Sequence, residues 1–296
     1  MRSLLAAALV VATLAVAGCS SPADPRGAGA AAEPALTAAD ATTGGSPAVA
    51  VAASGVTLPP TGTRFDYQLG GASKVPSGVG IVVRDSTDAP APGVYGICYV
   101  NGFQTQPGAS WPDSLLVRGS DGKPIVDPGW PDERILDVST AATRTANAAR
   151  LAPVIDACAA AGYRAVEFDN LDSWTRSAGA LDEDDALAFA TLLVARAHGR
   201  GLAAAQKNAT DLGSRGRDVA RFDFAIAEEC DRWEECAAYT DVYGARVLDV
   251  EYTDDLRDSA TGACRRIRAM DPAPAAIVRD RDLVPAGTRG YAYRDC

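Results

Sequence analysis

From about residue 62 the chain alternates short runs of β-branched and aromatic residues with longer runs of helical period, and this alternation restricts the fold more than any other feature. Strands joined by helical crossovers lie parallel, and a parallel sheet needs helices over its faces. The strand candidates are 65–69, 80–85, 95–100, 134–139, 165–170, 202–208, 223–228, 247–252 and 276–280. Two helices read clearly. Residues 143–161 carry Ala148, Leu151, Ile155 and Ala159 at helical spacing and stop at Gly162, and residues 182–198 open with an acidic first turn and end at Gly199. About 235 residues built this way fit one α/β domain, a (β/α)8 TIM-like barrel. Nine candidates are one strand too many, and the nine residues between Asp85 and Tyr95 are short of the roughly dozen that a helical crossover needs. The barrel is therefore expected to be irregular in its first third. No glycine-rich phosphate loop follows any strand, which leaves an open nucleotide-binding sheet without support.

The residues before the barrel read as an address and a tether. Arg2 precedes an apolar run from Leu4 to Ala17, too short to span a bilayer, which closes on Val16-Ala17-Gly18-Cys19. That ending resembles a bacterial lipobox. It implies a signal peptide over residues 1–18, a lipid-modified Cys19 as the new N-terminus, and an exported lipoprotein on the extracellular face of the cell membrane. Residues 20–61 are Ala, Gly, Pro, Ser and Thr with four charges and no aromatic side chain, a composition that cannot offset the entropy of ordering. The boundaries are thus 1–18 signal, 19–61 anchored linker and 62–296 catalytic domain.

Six cysteines remain besides Cys19, an even number suited to an oxidising compartment. Cys230 and Cys236 are near neighbours, and Cys264 with Cys296 would tie down the chain end. Cys98 and Cys158 are left as a third bridge or as two buried thiols.

Charge narrows the chemistry. A formal net charge of −10, from 28 basic and 38 acidic side chains with no basic cluster, speaks against a nucleic-acid partner and favours a cationic or neutral one. The single histidine, His198, ends a helix, so neither a multi-histidine metal site nor any cofactor is expected, and carboxylates carry the acid–base work. A monomer is expected.

Polar residues close the apolar runs, where a parallel barrel gathers its site at the C-terminal strand ends. Asp85, Tyr99, Asp137, Asp169 with Asn170 and Asp172, Lys207 with Asn208, Glu228 with Glu229, and Glu251 with Tyr252 all stand there. Strand alternation sends Val166 and Phe168 toward the helices and Asp169 toward the axis, and groups Glu228 with Phe224 and Ile226. Glu229 then points away and is the alternative to Glu228. Crowded carboxylates push one another's pKa values apart, the condition glycoside hydrolysis exploits.

Longer runs carry a resemblance. Tyr67-Gln68-Leu69, Glu167-Phe168-Asp169-Asn170-Leu171-Asp172, Gln206-Lys207-Asn208, the 223–230 run with Cys236 and Tyr239 beyond it, and Val250-Glu251-Tyr252 resemble the endo-α-1,4-polygalactosaminidases of glycoside hydrolase family 114, in order from about residue 65 to 283. The resemblance implies a barrel that cuts α-1,4-linked galactosamine polymers with carboxylates at Asp169 and Glu228. Gln104 departs from it, standing where the family often has an acidic residue.

Asp169 is expected as nucleophile and Glu228 as general acid/base, with the exchanged roles and either stereochemical course left open by the sequence. Gln68, Asp85, Tyr99, Asp137, Asn170, Asp172, Lys207, Asn208 and Glu251 are expected to bind a polysaccharide, with Trp174 preferred over Trp111, Trp130 and Trp233 as a stacking platform. A non-catalytic carbohydrate-binding barrel and a hydrolase of another glycan are the competing readings.

Overall fold

The computed structural model describes residues 55–296. The signal segment, Cys19 and the linker as far as residue 54 lie outside the described residues.

Eight parallel strands follow one another around the sheet: β1 (Arg64–Gln68), β2 (Val79–Asp85), β3 (Tyr95–Asn101), β4 (Ala165–Asp169), β5 (Ala203–Lys207), β6 (Phe224–Glu228), β7 (Val247–Tyr252) and β8 (Ala275–Arg279). Their side chains alternate between two cores. Phe65, Ile81, Ile97, Ala165, Ala203, Ala205, Phe224, Ile226, Val250 and Ile277 fill the barrel interior. Val166, Phe168, Ala204, Ala225, Ala227 and Val247 face the helices, whose apolar stripes supply Leu151, Ile155, Leu187, Ala190 and Val194. The helices are α1 (Ala141–Ala161), α2 (Glu183–His198), α3 (Cys236–Tyr243) and α4 (Ala260–Arg268). Thr140 and Asp182 cap the first two through reciprocal bonds with Thr143 and Asp185, and α1 ends on Gly162 at φ +98°, a left-handed geometry that glycine adopts without a Cβ clash.

Residues 134–139, expected as a strand, form none. They make isolated antiparallel bridges within an excursion between β3 and α1, Gln104 to Ile135, Leu116 to Leu136 and Val126 to Arg134. Ile135 and Leu136 are consecutive and both buried, on the outer core with Phe103 and Val117, so the run lacks the two-sided alternation of a sheet strand. Its loss leaves eight parallel strands. The β2–β3 connection carries no helix, as its length required.

Closure is indirect. A ninth strand, β9 (Tyr293–Asp295), runs antiparallel to β8 and reaches β1 through Tyr293 OH to Phe65 O (2.9 Å) and Arg64 Nε to Asp295 Oδ2 (2.9 Å). Arg279 is buried in the same seam. It donates to Asp66 Oδ1 (2.9 Å), to Ala292 O (2.9 Å) and to Tyr67 O. At the opposite end, Val56 and Leu58 pack on the interior core, Pro59 is buried, and Tyr95 OH donates to Thr57 O (2.6 Å). Leu58-Pro59, in the stretch expected as linker, thus covers apolar surface at the barrel floor.

Three disulfides join Cys98 of β3 to Cys158 of α1, Cys230 to Cys236 across the β6–α3 turn, and Cys264 of α4 to Cys296 beside β9. The alternative of two free thiols at Cys98 and Cys158 is excluded.

Candidate active site

The parity that builds the interior core also builds the site. Continuing Ala165, Glu167, Asp169 along β4, Ala203, Ala205, Lys207 along β5 and Phe224, Ile226, Glu228 along β6 brings one ammonium and three carboxylates to the top of the interior. The turns that follow are sharp. Asn170, Asn208 and Glu229, each directly after a strand, have φ of 61°, 48° and 62°; asparagine tolerates this region well, glutamate poorly.

Lys207 is the centre, only 2 % exposed at its side chain. Its Nζ lies 3.2 Å from Glu167 Oε1, 3.1 Å from Asp169 Oδ1 and 3.1 Å from Glu228 Oε2. It also donates to Tyr67 OH at 3.1 Å, and that hydroxyl donates to Glu167 Oε1 at 2.6 Å. Tyr99 OH donates to Asp169 Oδ2 (2.6 Å), Tyr252 OH to Glu228 Oε1, and Asn208 Nδ2 to Glu228 Oε2 (3.2 Å). Asp169 and Glu228 keep side-chain exposures of 19 % and 28 %, whereas Glu167 has none. The upper two carboxylates can meet a ligand; the lower one cannot.

Burial disfavours charge on Asp169, but the Lys207 ammonium and the Tyr99 hydroxyl outweigh it and hold its carboxyl below the ordinary carboxylate range. Glu167 goes the other way. Burial, offset only in part by Lys207, pushes it up to about 7. Burial alone would neutralise Lys207, yet Asp169 and Glu228 keep it protonated well above the usual lysine range. Burial, with the neighbouring carboxylates, also raises Tyr67, Tyr99 and Tyr252, so all three hydroxyls stay donors.

Of the expected ligand-binding residues, Tyr99, Lys207 and Asn208 stand in this constellation. Asn170 and Asp172 lie beside it. Asn170 Nδ2 donates to Asn101 Oδ1 (3.0 Å), and Arg176 clamps Asn170 Oδ1, Asp172 and Asp127.

Four expectations need correction. Gln68 and Glu251 sit one residue off the inward parity: Gln68 is buried against Asp66 and Arg84, and Glu251 accepts from the Asp231 amide (2.8 Å) outside the sheet. Asp137 follows no strand and caps the turn into α1 through Ser139. Trp174 is partly buried against the outer core, as is Trp111; the open indoles are Trp130 and Trp233 at 64 % and 56 % exposure.

Asp85 ends β2 but its carboxylate is taken up by Thr87. Glu229 turns outward to Arg281 (2.7 Å), and His198 pairs with Asp223 (2.8 Å) at the other end of the barrel. Cys230, Cys236 and Asp249 bring potential donor atoms together, but both sulfurs are committed to the disulfide. An open groove at the barrel floor, lined by Thr57, Leu58, Pro60, Pro90 and Arg164, gathers no acid–base pair.

The same parity identifies three residues absent from the expected set. Tyr67 rather than Gln68, Tyr252 rather than Glu251, and Glu167 two residues before Asp169 continue the inward faces. Glu133 had no sequence signal. It comes from the 102–140 excursion and accepts from Asn101 Nδ2 at 2.8 Å, and Asn101 is the register partner of Asp169.

A family model described as glycoside-hydrolase family GH114 matches residues 45–296. A crystal structure of Aspergillus fumigatus Ega3 in complex with galactosamine superposes with a TM-score of 0.65 at 20 % identity, covering 81 % of this chain and 98 % of that one. The glycoside hydrolase domain of PelA from Pseudomonas aeruginosa gives a TM-score of 0.53 at 17 % identity, covering 76 % and 97 %. Both likenesses speak to the barrel. Comparison with curated protein sequences yields no match.

Proposed function

The chain belongs to glycoside-hydrolase family GH114, and from that premise we propose that it is an exported, membrane-tethered hydrolase that cleaves α-1,4-linked galactosamine-containing polysaccharide internally. The galactosamine in the Ega3 complex supports the choice of sugar. The observation that carries the mechanism is the single buried ammonium shared by Asp169 and Glu228. Asp169 Oδ1 and Glu228 Oε2 each lie 3.1 Å from that one nitrogen, so the two carboxylates flank a single point of the mouth, as two groups acting on one glycosidic bond must. We take the reaction as a double displacement with retention, which the anomer of the product tests.

Asp169, kept ionised by Lys207 and Tyr99, attacks the anomeric carbon while Glu228, carrying a proton in the substrate complex, gives that proton to the departing glycosidic oxygen. The glycosidic bond breaks, an ester to Asp169 Oδ forms, and the leaving chain takes Glu228's proton. In the second half Glu228, now a carboxylate, takes a proton from water, whose oxygen displaces Asp169. The product keeps its α configuration. Lys207, Tyr99 and Tyr252 fix both carboxylates before substrate arrives, so little reorganisation is left for the reaction itself.

The lipobox ending in Cys19 supports a lipid anchor, and the linker would give the domain a reach on the order of 35 Å from the membrane. Incubating the purified protein with partly deacetylated galactosaminogalactan should release new reducing ends as short oligosaccharides. Binding without release would favour a carbohydrate-binding barrel, and activity only on other glycans would reassign the substrate.

A further inference from the structure

Charge around the site is compensated almost everywhere. Asp169, Glu228 and Glu167 share Lys207, and Asp127 and Asp172 share Arg176 at 2.7 and 2.9 Å. Glu133 is the exception. It is 8 % exposed, the one hydrogen bond to its carboxylate comes from the neutral Asn101 amide, and among the described residues no cation lies within 4 Å of it. Burial, with the charges of Asp169 and Asp127, raises its pKa against the Asn101 hydrogen bond and the more distant Arg176 charge, which lower it. A desolvated carboxylate beside other anions is costly unless a cation arrives to share its field.

Its place says which cation. Asn101, which holds Glu133, pairs in register with Asp169 and accepts from the residue that follows it, so Glu133 stands on the flank of Asp169 away from Lys207. A sugar attacked by Asp169 brings its anomeric carbon to that carboxylate, and carbon 2 is one bond away. In galactosamine that carbon carries the ammonium. The exposed Trp130 opens the turn that ends at Glu133, with Glu133 N donating to Trp130 O at 2.9 Å, and supplies an apolar face of the kind sugar rings stack on.

We infer that Glu133 is the amine-binding carboxylate of the sugar subsite beside Asp169, the residue that makes a free 2-ammonium preferred over an N-acetyl group. This rests on the function proposed above and names the residue that reads the sugar's amine. An N-acetyl group brings no charge to Glu133.

The test is Glu133→Gln, which keeps an acceptor for Asn101 and removes only the charge. Steady-state kinetics on deacetylated polygalactosamine and on its N-acetylated counterpart should show kcat/KM falling at least about tenfold further on the deacetylated polymer, mainly through KM. Calorimetric binding of free galactosamine against galactose should show a preference in the natural protein that the variant loses, and Glu133→Asp should recover part of it. Equal losses on both polymers, or a variant that still selects galactosamine over galactose, would overturn the assignment. If the natural protein cuts neither polymer but its preference for galactosamine disappears with Glu133, the hydrolase reading fails and the amine subsite stands.

Discussion

A single lysine holds the site together. Lys207 sets one buried positive charge between three carboxylates that otherwise repel one another. Replacing it by methionine of similar length leaves buried negative charge uncompensated, a loss on the order of 3–5 kcal/mol. Urea unfolding at neutral pH should show that drop, and a change below about 1 kcal/mol would mean that the carboxylates are not mutually dependent. Asp169→Asn and Glu228→Gln are isosteric and should unfold near the natural temperature while turnover falls roughly 10²–10⁴-fold, as expected when a nucleophile or a transferable proton is lost. Folded variants with near-natural turnover would remove both residues from the mechanism. At this scale the sequence is legible wherever strand parity can be counted from an apolar start: Phe224-Ala225-Ile226-Ala227-Glu228 settles the direction of Glu228. It misled at Gln68 and Glu251, where a polar residue one step off the inward face was counted with the mouth although its neighbours Tyr67 and Tyr252 carried the right parity.

Strand β7 shows what an outward-facing acidic residue costs. Val247, Asp249 and Glu251 face away from the axis, and Asp249 and Glu251 each keep one buried oxygen without a hydrogen-bond partner among the described residues. Burial pushes Glu251 up to about 7, and burial followed by the charge of Glu251 pushes Asp249 well above the carboxylate range. Because the folded protein holds the Glu251 proton more tightly than the unfolded chain does, the associated stability is fully present below the ordinary glutamate pKa and is lost as pH rises through about 7. Glu251→Gln removes this titration and keeps an acceptor for the Asp231 amide. Its thermal stability relative to the natural protein should therefore improve from pH 5 to pH 8, by an amount on the order of 1–3 kcal/mol. A pH-independent difference would show that Glu251 does not hold a proton. Element by element, α1, α2 and the eight parallel strands are legible because their periods are strong and their ends are marked, by Gly162 and by the Asp182 cap. Residues 134–139 are not, since hydrophobic content alone does not distinguish a strand from a loop packed on an outer core. Nor is β9, three residues of partly exposed chain whose pairing is decided by the far-off seam at Arg279 and Asp66.

For the molecule as a whole, a net charge of −10 bears on how it meets a polymer with free amines. Long-range attraction is screened within about 3 Å at 1 M ionic strength, whereas short contacts survive. Added salt should thus lower kcat/KM on deacetylated polygalactosamine more than on the N-acetylated polymer, and equal sensitivity would mean that net charge serves only solubility. If Cys19 bears the anchor, Cys19→Ser should move the protein out of the membrane fraction or block its processing; unchanged membrane retention would point to another attachment. With Asp169 as the nucleophile and Glu228 as the acid/base of a retaining hydrolase, azide rescue separates the two roles. In Asp169→Gly, azide takes the place of the missing carboxylate and attacks the α-linked sugar from the opposite face, giving a β-glycosyl azide. In Glu228→Ala, azide instead resolves the ester on Asp169 and gives the α-glycosyl azide. Proton NMR of the two products should show those opposite anomers, and the reverse assignment, or the same anomer from both variants, would contradict the mechanism.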